Sequence, residues 1–125
     1  MSLRYFTVQE ANELLPELEP LVGRVLTLRA RASHHSREMG ALLADLSSDI
    51  GGSLPSRLTG EFAEIEELIE RIQSYGIVLK SLEAGLLDFL CERDGRDVFL
   101  CWRYGEPTVQ YYHELHIGYQ GRRPI

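Results

Sequence analysis

The sequence predicts an α+β fold, in which a long antiparallel helical hairpin of coiled-coil character precedes a small three-stranded antiparallel β-meander. Two observations predict it. The first half of the chain carries apolar residues at alternating spacings of four and three, which is the heptad pattern of packed helices. The second half carries short runs of aromatic and β-branched residues that are separated by glycine-containing turns. The length of 125 residues suits a single domain.

The first helix is predicted from residue 8 to residue 46. Thr7 and Glu10 have the spacing of a capping box, in which each side chain accepts a hydrogen bond from the other's backbone N–H. Pro16 lacks a backbone donor and predicts a kink or a restart, whereas Pro20 is tolerated in the first turns that follow. The helix carries one apolar stripe, which consists of Leu14, Leu18, Leu21, Val25, Leu28, Ala32, His35, Met39, Leu42 and Leu46. Ala32 and His35 are its weakest positions, and we interpret them as loosely packed layers.

The second helix is predicted from residue 55 to residue 75. Glycine and serine in the segment 47–53 end the first helix, Pro55 suits a new first turn, and Gly76 suits a left-handed C-cap. Two striped helices joined by a short loop predict an antiparallel hairpin. Because the second helix is shorter, we expect the sheet to bury Leu14, Leu18, Leu21 and Val25. The stripe of the second helix is Leu58, Phe62, Ile65, Ile69 and Ile72.

The β-meander is predicted over residues 86–114, with strands at 86–91, 97–103 and 108–114 and a tail at 115–125. Asp94-Gly95 supports a two-residue hairpin turn, and a second turn begins at Gly105.

The register that these turns imply places Asp88, Cys101 and Gln110 side by side. It places Cys91, Val98 and His113 side by side on the opposite face, which is the apolar one. His113 is therefore expected at the margin of the core face. The two cysteines point to opposite faces, which excludes a disulfide between them.

Several short motifs follow one another along nearly the whole chain. They are Phe6-Thr7, Glu10-Ala11-Asn12, Leu14-Leu15-Pro16, Gly85-Leu86, Asp88-Phe89, Gly95-Arg96, Leu100-Cys101-Trp102, Gly105-Glu106, His113, Gly118, Gly121-Arg122 and Pro124. With these motifs the chain resembles a family of small bacterial proteins known as domain of unknown function 2203. The resemblance implies an intracellular protein with a helical hairpin, and it brings no established activity.

Composition bounds the function. With 13 basic and 19 acidic residues the formal net charge is -6, which argues against broad nucleic-acid binding because that needs clustered Lys and Arg. The acidic first stretch fits neither a signal peptide nor a membrane span, so we expect a cytoplasmic protein without a membrane partner. Cys91 and Cys101 are then expected to be reduced.

Candidate site residues lie in the last third of the chain. The structural interpretation makes His113 a hydrogen-bonded histidine beside the core, and Cys101 a packed thiol. The functional interpretation joins His113 to Glu106, Asp88 or Glu114 as a divalent-metal or acid/base site, with His113, Asp88 and Glu106 as the metal ligands. A divalent metal is the only cofactor that the sequence suggests. Packing gives no sufficient reason for Asp88, Cys101, Glu106, His113 and Arg122. Arg122 and Arg123 belong to a solvated tail, pair with Asp88 or Glu106, or contact an anionic ligand or a partner.

The sequence contains no complete catalytic motif, and it leaves open whether the protein is an enzyme. The function predicted first is that of a non-enzymatic interaction or scaffold protein, assembled through its helices as a homodimer or a higher homo-oligomer. The alternative is a small-ligand or divalent-metal-binding protein that uses His113, nearby carboxylates and Arg122.

Overall fold

The computed structural model describes residues 3–44 and 53–125 of the chain. Leu46 and most of the predicted break at 47–53 lie outside the described residues. The described elements are helix α1 (Val8–Ala44), helix α2 (Ser53–Gln73), and strands β1 (Val78–Ser81), β2 (Leu86–Arg93), β3 (Arg96–Arg103), β4 (Tyr111–Glu114) and β5 (Arg123–Pro124). All neighbouring strands pair antiparallel and follow chain order. The α+β class is therefore confirmed, but the described sheet has five strands rather than three.

Helix α1 begins with the predicted capping box. The Glu10 N–H donates to Thr7 Oγ1 at 3.0 Å, and the Thr7 N–H donates to Glu10 Oε1 at 2.8 Å. The helix continues through Pro16 and Pro20 without a break, so the expected restart at Pro16 is wrong. A proline inside a helix removes one backbone hydrogen bond and so lowers the stability of the helix. The burial of Leu15 and Leu18 in the core beside Pro16 offsets this loss.

Both helices contribute to one hydrophobic core with the sheet, but their buried stripes differ from the predicted ones. The buried residues of α1 are Ala11, Leu15, Leu18, Val22, Val25, Leu28 and Ala32. Leu14 and Leu21 are only half-buried at the edge of this core. The buried residues are still three and four apart, so the heptad period is retained, but Leu15 and Val22 take the buried places predicted for Leu14 and Leu21.

Helix α2 contacts α1 along part of its predicted stripe. Ile65 and Ile72 are buried, as predicted, but Leu68 is buried between them and Phe62 is 52 % exposed. Across the helices, Arg24 Nε donates to Glu64 Oε2 at 2.9 Å, and His35 is hydrogen-bonded to Glu61. His35 is therefore a paired side chain and not merely a loose layer. Gly76, with φ of +83°, follows the helix in the predicted left-handed conformation.

The two additional strands come from segments where no strand was predicted. Strand β1 begins two residues after Gly76 and pairs with β2, with Val78 opposite Asp88. Strand β5 comes from the predicted tail and pairs with β4, with Arg123 opposite Tyr112. Each strand is short, at four and two residues, so neither shows the alternation by which a strand is recognised in sequence.

The predicted register between β2 and β3 is confirmed. Asp88 lies opposite Cys101 and Cys91 opposite Val98, and the turn has positive φ angles at Asp94 and Gly95. The apolar face of this pair packs on the helices, with buried side chains at Leu87, Phe89, Val98, Leu100 and Trp102.

The predicted register between β3 and β4 is wrong by one residue. His113 lies opposite Phe99, and Tyr111 opposite Cys101. The shift coincides with a contact just before the strand, where the Val109 N–H donates to Asn12 Oδ1 of helix α1 at 2.7 Å. A shift of one residue moves every side chain to the other face. His113 therefore lies on the outer face with Asp88 and Cys101, not at the margin of the core.

Among the described residues, neither helix combines the length and the hydropathy that crossing a bilayer requires.

We expect Asn12→Ala to destabilise the protein by about 1–3 kcal/mol, because it leaves the buried Val109 N–H without its acceptor. Denaturant unfolding measures this loss. The control is Gln9→Ala, which removes an exposed side chain that bonds only Glu13 within the same helix, and which should change stability by less than about 0.5 kcal/mol. Equal effects of the two substitutions would contradict the role of Asn12.

Candidate metal centre

Five polar side chains form a continuous chain of contacts on the outer face of the sheet. Three come from adjacent strands: Asp88 from β2, Cys101 from β3 and His113 from β4. Arg122 comes from the segment before β5, and Glu106 from the connection between β3 and β4. We call these five residues the outer-face network. Burial of polar groups is costly unless they are paired, and four of the five residues make hydrogen bonds within the network.

Asp88 and His113 form the innermost contact of the network. His113 Nε2 lies 3.1 Å from Asp88 Oδ1, and the two side chains are only 3 % and 2 % exposed. The other ring nitrogen, Nδ1, donates to the Glu114 carbonyl at 2.8 Å. Because a carbonyl accepts but never donates, Nδ1 must carry a proton, and a second proton must then lie between Nε2 and the carboxylate. Burial raises the pKa of Asp88, although the neighbouring His113 opposes this.

Cys101 lies beside this pair with 1 % of its surface exposed. One carboxylate oxygen of Asp88 lies within 4.8 Å of its sulfur, and Arg122 is the nearby cation that acts on the thiol. Burial, reinforced by the negative charge of Asp88, raises the pKa of Cys101 to about 12, against the opposing effect of Arg122. The sulfur is therefore a protonated thiol at neutral pH unless a cation replaces the proton.

Arg122 closes the network toward solvent. Its guanidinium donates to both carboxylate oxygens of Glu106, at 3.0 and 2.6 Å, and lies over the rings of Tyr111 and Tyr119, 4.0 and 4.2 Å from their centroids. Burial lowers the pKa of Arg122, but its bonds to Glu106 outweigh this and leave the pKa raised. Glu106 is itself held by the Arg103 N–H at 2.7 Å. The segment that leads into β5 is thereby fastened over the sheet.

The structure brings together two of the three residues that the sequence suggested as metal ligands. Asp88 and His113 are in contact, whereas Glu106 is paired with Arg122, which was one of the pairings considered for that arginine. Arg123 is exposed in β5. The third donor beside Asp88 and His113 is Cys101, and one ligand atom from each of the three lies within 4.8 Å of the others.

The sequence analysis interpreted Cys101 as a packed thiol and not as a metal ligand, although one signal for the second role was present. The predicted β2–β3 register already placed this thiol opposite Asp88. The mistaken β3–β4 register put His113 on the other face, so the histidine and the thiol were not expected to be neighbours. His116, beyond the end of β4, is exposed.

A comparison with known families agrees with the resemblance. The model of a family described as uncharacterized conserved protein (DUF2203) matches residues 4–125, nearly the whole chain. No curated protein and no solved structure matches the chain.

We predict that the wild type loses stability relative to Asp88→Asn as the pH rises above the ordinary aspartate value of 3.8. The folded-state pKa of Asp88 is raised, so the folded protein holds this proton more tightly than the unfolded chain does. The resulting stabilisation is complete below 3.8 and is lost as the pH rises through the folded-state pKa. Urea unfolding of both proteins in metal-free buffer, from acidic to neutral pH, measures the difference.

The matched control is Asp97→Asn, which removes an exposed carboxylate from the same sheet. A difference between wild type and Asp88→Asn that stays constant with pH, or one that grows in favour of the wild type, would contradict a raised pKa at Asp88.

Proposed function

Since the chain belongs to the DUF2203 family of uncharacterized conserved proteins, we propose its function from the site itself: it is a zinc-binding protein. Asp88, Cys101 and His113 supply the three protein ligands. The observation that carries this proposal is that one oxygen, one sulfur and one nitrogen atom, from three different strands, lie within 4.8 Å of one another in a buried site.

The spacing of the three atoms supports a tetrahedral ion. Zinc bonds of about 2.0–2.3 Å to nitrogen, oxygen and sulfur put neighbouring ligand atoms about 3.3–3.7 Å apart. The distance of 3.1 Å between His113 Nε2 and Asp88 Oδ1 needs only a small expansion to reach this range. His113 Nδ1 already donates to the Glu114 carbonyl, which is how ligating histidines are usually oriented.

The donor set also selects the metal. A thiolate, an imidazole and a carboxylate suit Zn²⁺, whereas Ca²⁺ and Mg²⁺ prefer sites made of oxygen atoms alone. Ionised Asp88 and Cys101 would together neutralise the charge of the ion. Arg122 and Glu106 neutralise each other beside it, so the buried site would carry little net charge. Three protein ligands leave a fourth position, which in zinc proteins takes water or substrate.

We rank zinc binding above the scaffold role because three side chains at defined distances carry it. The site needs a reduced thiol, which fits the predicted cytoplasmic location. As part of the same proposal, α1 and α2 form the predicted antiparallel hairpin. The contacts Arg24–Glu64 and His35–Glu61 support this arrangement, because their order along α1 is reversed along α2.

Zinc titration of the purified, metal-free protein tests the proposal. We expect one ion per chain in the wild type, and a loss of at least about a hundredfold in affinity for Cys101→Ser, since a hydroxyl is a poor zinc ligand. The matched control is Cys91→Ser, which removes the other buried cysteine from the opposite face of the same sheet and should bind like the wild type. With cobalt as the probe, the thiolate-to-metal charge-transfer band should be lost in Cys101→Ser alone.

Two results would sink the proposal. One is a wild type that takes up no stoichiometric zinc while remaining folded. The other is equal affinity in Cys101→Ser and Cys91→Ser.

Zinc binding should release at least one proton per ion near neutral pH. It comes from the Cys101 thiol, whose pKa of about 12 keeps it protonated in the metal-free protein. Affinity should therefore rise with pH, by at least about tenfold per pH unit. Calorimetric titration in buffers of different ionisation enthalpy counts these protons, and a count near zero would contradict the proposed ligands.

A further inference from the structure

A second feature, remote from the outer-face network, is an open apolar groove where α1, α2 and the turn after β1 meet. Its volume is about 770 Å³. Apolar side chains form its floor, arginine side chains lie on its rim, and Phe62 lies at its edge with 52 % of its surface exposed. The groove is lined by Val25, Leu26, Ala32, Ile65 and Leu82 on the floor and by Arg29 and Arg37 on the rim.

The groove exists because the two helices fit each other poorly at this level. Ala32 has the smallest side chain among the buried residues of α1 between Leu15 and the groove, and beside it Phe62 does not reach the core. A phenylalanine that is half exposed next to apolar side chains leaves a patch of the kind that marks association surfaces in soluble proteins.

Most of the charged residues around the groove fall into two opposite groups on the two helices, and the exposed Glu83 of the turn after β1 also lines the groove. The rim arginines Arg29 and Arg37 are exposed on α1. On α2, Glu66 and Glu70 are exposed at four and eight residues after Phe62, so they share its side of the helix. The same surface therefore carries two features. One is the apolar groove with Arg29 and Arg37 on its rim, and the other is Phe62 followed along α2 by Glu66 and Glu70.

Such a surface is complementary to itself, which is what a two-fold symmetric interface requires. We propose that the groove binds a second copy of this chain. In the resulting homodimer, Phe62 of each chain enters the groove of the other, and Glu66 and Glu70 of each chain meet the partner's Arg29 and Arg37. Both the shape and the charge of the surface then find their complement in the same contact.

Charge reversal tests the arrangement. One form of the full chain carries Arg29→Glu and Arg37→Glu, and a second form carries Glu66→Arg and Glu70→Arg. Either form alone places like charges across the interface and should be monomeric, whereas an equimolar mixture restores opposite charges at both contacts and should form a heterodimer. Native mass spectrometry separates these species by mass. All four positions are exposed, and far-UV circular dichroism spectra of both forms that match the wild type would verify the fold.

The aromatic contact has its own test. Phe62→Glu should raise the dissociation constant of the dimer at least about a hundredfold, because a carboxylate would enter an apolar groove. Leu115→Glu is the matched control, since Leu115 is a similarly exposed apolar residue, at 47 %, in the segment after β4. Sedimentation velocity at micromolar concentration measures both constants.

A wild type that is monomeric at micromolar concentration would overturn the inference. So would a mixture of the charge-reversed forms that stays monomeric, or equal effects of Phe62→Glu and Leu115→Glu. These outcomes are independent of zinc binding, because the groove and the outer-face network share no residue.

Discussion

The alignment of β4 against β3 is the constraint on which the candidate site depends. His113 reaches Asp88 and Cys101 because it lies opposite Phe99 rather than opposite Val98. That alignment is linked to helix α1 through the bond from the Val109 N–H to Asn12 Oδ1, which withholds this amide from the sheet. One residue near the start of the chain thus helps to determine which face of the sheet carries a histidine 101 positions later. With the alternative alignment, the imidazole would point into the apolar core and the three donor atoms would be separated.

Burial gives the outer-face network its chemistry. In a site with little solvent, an unpaired polar group is costly, so every member must be satisfied by a proton, by a neighbour or by a cation. Without a metal, protons satisfy the polar groups of the site, because the thiol of Cys101 stays protonated and burial raises the pKa of Asp88. A zinc ion would replace those protons with a single charge at the centre of the three atoms. Arg122 and Glu106 complete the site by pairing with each other and by holding the chain that covers it.

Local signals in the sequence predicted the local parts of the fold well. The capping box at Thr7 and Glu10, the turn at Asp94 and the pairing of β2 with β3 each depend on a few adjacent residues, and each is confirmed. The β3–β4 register depends on a side chain from α1, which no local pattern reveals. The exposure of Phe62 likewise depends on how two helices fit at one level. For the same reason, the contacts Asp88–His113 and Glu106–Arg122 were among the alternatives that the sequence offered, but the position of Cys101 beside His113 could not be predicted.

X-ray absorption at the zinc edge of the metal-loaded protein tests the central claim most directly, because it reports the atoms bound to the ion. The account predicts one sulfur at about 2.3 Å and two or three nitrogen or oxygen atoms at about 2.0–2.2 Å, with an imidazole scattering pattern. A first shell made of oxygen atoms alone, or one that contains two sulfur atoms, would contradict the assignment of Asp88, Cys101 and His113 as the ligands.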